Sequence, residues 1–179
     1  MLRYLILAGF FAFAPLGISA SIFPNVAPDL DLGQFAGRWY EVASTKPGFQ
    51  KDCTCVTADY SALDASTVKV VNSCRKKGPE GELSQVIGSA KTTSNAAKLN
   101  VSFGGFSLPF SNYWVIEHAD DYRYAVISTP LRSPIWILSR TPELSVDDLN
   151  SIEERLTAQN FSVEKLSPTP QDACRYEAQ

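Results

Sequence analysis

Four cysteines, Cys53, Cys55, Cys74 and Cys174, are the side chains of this 179-residue chain best able to do covalent chemistry. A free thiolate would be a nucleophile, a cluster of thiolates would hold zinc, and pairs would form disulfides. The lone histidine, His118, is remote from them in sequence, and no paired Cys-x-x-Cys knuckle occurs. The spacing therefore favours two disulfides and no metal. Cys53 and Cys55 are too close on one strand to pair with each other, and an extended strand puts both on the same face. Cys53 with Cys74 would staple a hairpin, and Cys55 with Cys174 would pin the C-terminal tail. Cys53 with Cys174 is the competing arrangement. His118 has no evident serine or cysteine partner and reads as a surface histidine at a strand end. Gly104-Gly105 is no phosphate cradle, because no helix or lysine follows in the required place.

The cysteines all lie in a part of the chain expected to be exported. Arg3 precedes a nearly continuous apolar run from Leu5 to Leu16, and Gly17-Ile18-Ser19-Ala20 ends it in small residues. Residues 1–20 thus read as a signal peptide, leaving 21–179 as one domain. Removing Arg3 takes the formal charge from −3 to −4. That mild acidity, without a basic stripe, argues against nucleic acid as a partner. No cysteine precedes Cys53, so no lipid-anchor cysteine is expected at the new terminus. A soluble protein, secreted or periplasmic, is expected, as a monomer or weak dimer. Asn100-Val101-Ser102 and Asn160-Phe161-Ser162 match the glycosylation acceptor pattern, which matters only in a eukaryotic secretory pathway.

The body alternates in short strands: 39–45, 55–63, 67–74, 83–90, 97–103, 113–119, 122–129 and 134–139. Asp64-Ala65-Ser66 and Asp120-Asp121 supply turns. Eight short strands with tight connections predict an all-β, up-and-down antiparallel barrel, whose closure removes exposed sheet edges. Ser145 is a fitting N-cap, with Asp147 and Asp148 in the first turn, and Leu149, Ile152, Leu156 and Phe161 recur at helical spacing. A helix packed outside the barrel is expected, followed by a short strand over 161–166.

Two segments set the ends of this barrel. Gly37-Arg38-Trp39-Tyr40-Glu41 opens the first strand, and Trp136-Ile137-Leu138-Ser139-Arg140 ends the last. An arginine laid over a tryptophan face makes a low-entropy plug, so Trp39 and Arg140 are expected to close one end. Strand parity then turns Trp136 and Leu138 inward on one side, and Glu41 and Ala43 inward on the other. The loop 103–110, with three phenylalanines and Leu108, reads as a plug or as an apolar lip for lipid entry or transient membrane contact.

Gly37-x-Trp39, Asp121-Tyr122 with Tyr124-Ala125-Val126, and Arg140 resemble the three signature regions of the lipocalins, in order and across nearly the whole chain past residue 20. The resemblance is strongest to the group of apolipoprotein D and the bacterial lipocalin. It implies an eight-stranded cup holding a small hydrophobic molecule such as a fatty acid, lysophospholipid or sterol, with no cofactor. It also implies aromatic lining at Tyr60, Phe103 and Trp136. Tyr113 and Tyr124 are further candidates on their strands, and Glu41, turned inward by parity, is available to a ligand head group. The resemblance supports the Cys55–Cys174 bridge, which leaves Cys53 with Cys74. A few lipocalins are enzymes acting on lipid or carotenoid substrates, one through a free cysteine, so catalysis is the alternative to binding.

Overall fold

The computed structural model describes residues 21–105 and 108–177, so the expected signal peptide and Phe106 and Ser107 of the long loop lie outside the described residues. Asp31 starts the first element by accepting hydrogen bonds from the Gly33 and Gln34 amides, which caps the short helix α1 (Leu32–Phe35). Eight strands follow: β1 (Gly37–Ser44), β2 (Cys53–Ala62), β3 (Thr67–Lys76), β4 (Leu83–Lys91), β5 (Lys98–Phe103), β6 (Tyr113–His118), β7 (Tyr124–Ser128) and β8 (Trp136–Ser139). Each pairs antiparallel with the next, and β1 pairs with both β2 and β8. Among the described residues these eight close an antiparallel barrel. Helix α2 (Val146–Ala158) follows, and the two-residue strand β9 (Ser167–Pro168) joins the outer end of β1.

Burial explains the order. One apolar cluster fills the closed end of the barrel and includes Phe35, Trp39, Tyr60, Val70, Leu99, Val115, Ile127 and Leu138. A second lies between the outer wall and α2, with Trp114, Ile116, Val126 and Ile137 against Ile152, Leu156 and Phe161. Ser145 caps α2 by accepting from the Asp148 amide, as its sequence predicts. All five residues of β7 are buried, because the cup floor covers one face and α2 the other.

The strand expected over 161–166 does not form. Asn160 adopts a left-handed backbone (φ 61°) that reverses the chain, and the Phe161 amide bonds back to the Leu156 carbonyl. Residues Val163–Lys165 make a 3-10 turn, and the sheet pairing falls to β9.

Three bulges interrupt the ladders; one lies between Val115 and Glu117 of β6, and the other two overturn the parity expected from the sequence. Between Glu41 and Ala43 the β1–β8 register gains one residue, so Ala43 joins the outer cluster instead of facing inward. Between Thr54 and Thr57 the β2–β3 register gains another, with Cys55 at φ 54°. Cys53 therefore faces the cup and Cys55 the outside, not the same side.

Candidate ligand-binding site

Glycine at position 37 starts the closed end because its φ of 94° is costly for any side chain, and a Cβ there would approach Arg140 Nη1 to 3.4 Å. The turn delivers Trp39 into the barrel, fully buried, with its Nε1 donating to the Phe35 carbonyl at 2.8 Å. The Arg140 guanidinium lies 3.7 Å from the indole centroid. It donates to the carbonyls of Arg38 and Gln34, so its charge seals the end while its hydrogen-bonding capacity is used.

Above this seal is a cavity of about 550 Å³, open at the other end of the strands. Tyr60, Tyr113, Phe103, Trp136 and Glu41 all line it, together with Val70, Val101, Ile127 and Leu138. Phe103 sits at the rim, opposite Gly88, where any Cβ would collide with its ring. Tyr124 is not brought to this set. It packs in the outer cluster, and its hydroxyl accepts from Arg155 of α2. A sequence in which every residue of β7 is apolar or small carries no alternation from which to read that outward orientation.

Glu41 is the buried acid of the cup wall. Its Oε1 accepts from Thr169 Oγ1 and its Oε2 from Gln50 Nε2, both at 2.6 Å, and Gln50 Oε1 accepts from Trp136 Nε1 at 2.7 Å. This chain ties the mouth segment carrying Phe49 to the cup wall. Neither Gln50 nor Thr169 lies in a patterned strand, so no sequence signal marks them. Burial is the largest influence on Glu41 and pushes its carboxyl up from the ordinary value, against the opposing hydrogen bonds. A raised folded-state pKa means that the folded chain holds the proton more tightly than the unfolded one. The associated stability is full below about pH 4.5 and is lost as pH rises through the raised value. The denaturant midpoint of the wild type, measured relative to Glu41→Gln, should therefore fall on going from about pH 4 to about pH 8. A pH-independent difference would show that Glu41 does not titrate in this way.

The C-terminal tail completes the wall beside Glu41. Pairing of β1 with β2 ends at Tyr40 and Thr57. Beyond it, Gln171 Nε2 donates to the carbonyls of both Glu41 and Val56, and the Cys55 amide donates to the Pro170 carbonyl. The Cys55–Cys174 disulfide fixes this patch, and Cys53–Cys74 links β2 to β3 near the mouth. On the other side, β5 and β6 pair at only two positions, and the Asn112 amide then substitutes for a strand by bonding both backbone groups of Val101.

None of the four thiols is free. Among the described residues no three His, Cys, Asp or Glu side chains gather to hold a metal. His118 is not the surface residue expected. Its ring is stacked on Tyr122 at 4.3 Å, Nδ1 lies 2.9 Å from the Ala119 carbonyl, and the side chain is 7% exposed. It lies toward the closed end and is no part of the cavity lining.

Comparison with known proteins agrees with this geometry. Residues 30–171 match the family model for the lipocalin-like domain. The chain is 32% identical over 155 residues to temperature-induced lipocalin-1 of Arabidopsis thaliana, covering 82% of each. It is 35% identical over 163 residues to apolipoprotein D of Cavia porcellus, covering 84% of this chain and 82% of that one. Insecticyanin of the tobacco hornworm Manduca sexta has the same fold, with a TM-score of 0.64 at 21% identity over 86% of this chain and 88% of that one. The sealed floor, the open apolar cup and these matches together place the chain in the lipocalin family.

Proposed function

We propose that this protein is an exported carrier that takes one small hydrophobic molecule, such as an acyl chain, a lysophospholipid or a sterol, into its cup. The observation that carries this reading is the apolar cavity of about 550 Å³, sealed below by Trp39 and Arg140 and open above. Burying ten methylenes there would contribute about 8 kcal/mol before ordering costs. Residues Glu41, Tyr60, Phe103, Tyr113 and Trp136 are the contacts assigned to the ligand. With all four cysteines bridged, the thiol-based enzymatic alternative has no nucleophile.

The mouth supports a role in picking up ligand from a lipid surface. Phe49, Phe110 and Leu131 stand 74%, 58% and 82% exposed on loops between strands at the open end. Apolar side chains grouped around an opening suit brief membrane contact. The reading includes removal of residues 1–20, a secreted or periplasmic location and a monomer or weak dimer.

Titrating the mature protein with a fluorescent fatty acid should quench the emission of Trp136 and saturate at one ligand per chain. Absence of saturable binding across acyl and sterol probes would overturn the carrier reading.

A further inference from the structure

Two phenols form a buried polar pair inside the cup. The hydroxyls of Tyr60 and Tyr113 are 2.7 Å apart, and their rings meet edge to face with centroids 6.3 Å apart. Tyr60 is 5% exposed and packs on Phe35, which in turn contacts Trp39 at the floor. Desolvation keeps both phenols neutral: it pushes Tyr60 up to about 12 and Tyr113 well above its ordinary value.

Two neutral phenols carry two protons, and one O–H···O bond uses one of them. The hydroxyl that accepts keeps its own proton, and no second acceptor on the described residues meets it. Nearby lining residues Val70, Ile127 and Leu138 are apolar. Higher in the cup, the amides of Gln50 and Asn112 are already committed to protein partners. Asn72, two residues beyond Val70 on β3, offers a donor and an acceptor together and so selects for neither. Lys76, at the mouth end of β3, is the only cationic side chain among the described lining residues. An anionic head group placed beside the phenols would thus be desolvated without a counter-charge.

We propose that the Tyr60–Tyr113 pair is a donor subsite for a neutral oxygen acceptor, a ketone, aldehyde or ester carbonyl, at the leading end of an otherwise apolar ligand. The spare O–H meets the carbonyl, and its own oxygen, by accepting from the other phenol, makes it a stronger donor. This assignment rests on the carrier reading and narrows it: the preferred cargo has an uncharged carbonyl at its inner end, and any carboxylate stays at the mouth.

The test compares 2-undecanone with undecane, each displacing N-phenyl-1-naphthylamine from the mature wild type and from Tyr60→Phe/Tyr113→Phe. Comparing each ligand between the two proteins cancels its aqueous solubility. The double variant should weaken the ketone about three- to tenfold, the worth of one neutral hydrogen bond, and leave the alkane unchanged or tighter. Each single Phe variant keeps one hydroxyl proton and should retain the ketone preference. In the wild type alone, the infrared carbonyl band of bound 2-undecanone should lie below its position in an alkane solvent. An unshifted band, or equal effects on ketone and alkane, overturns the subsite and leaves the carrier reading intact. Failure of the wild type to bind either compound overturns both.

Discussion

Replacing Trp39 by alanine should destabilise the barrel by about 3–5 kcal/mol, the range for a fully buried large aromatic. Trp39 has no solvent exposure, packs on Phe35 at 5.0 Å and satisfies the Phe35 carbonyl through its indole N–H. Truncation therefore leaves both a void and an orphaned acceptor. Arg140→Ala should cost less, since its guanidinium is at the edge of the seal and bonds to two backbone carbonyls. The double variant should be more stable than the sum of the two losses predicts, by at least about 0.5 kcal/mol, because each single change already removes the 3.7 Å contact. Denaturant midpoints of the three variants decide the matter. Strict additivity would mean that the ring and the guanidinium do not stabilise one another.

That seal was readable from sequence because it depends on residue types with few substitutes. A glycine at positive φ, a tryptophan two residues later and an arginine ending the last strand leave little freedom in how they meet. The strand set and α2 were readable for a similar reason, since alternation and a capped helical stripe each state their own period. Parity was less reliable. It placed Glu41, Trp136 and Leu138 on the cavity but failed for Ala43 and for Cys55, each just past an inserted residue. A bulge adds a residue without changing the hydropathy pattern, so counting cannot see it. Tyr124 failed differently: α2 covers the outside of β7, and both faces of that strand are apolar. Gln50 and Thr169 could not be found at all, because their role comes from long-range closure of the chain around Glu41.

Loss of the Cys55–Cys174 bridge should be the second severe defect, and it should reach the ligand site. The cross-link spans 119 residues, and closing a loop of that size stabilises by about 5 kcal/mol in the chain-entropy account. The Cys53–Cys74 bridge spans 21 residues and should contribute about 3 kcal/mol on the same basis. The larger loop matters for a structural reason as well. The tail it holds fills the gap where β1 and β2 stop pairing, through Gln171 on Glu41 and Val56 and through Thr169 on the Glu41 carboxyl. With the tail released, Glu41 should gain water and lose most of the burial that raises its pKa. Cys55→Ser/Cys174→Ser should therefore show a larger drop in denaturant midpoint than Cys53→Ser/Cys74→Ser. Its stability should also lose the pH dependence attributed to Glu41. Non-reducing peptide mapping of the wild type should join the Cys174 peptide to Cys55. Equal losses for the two double variants, with the Glu41 pH dependence intact, would mean that hydrogen bonds alone keep the tail seated in the wall.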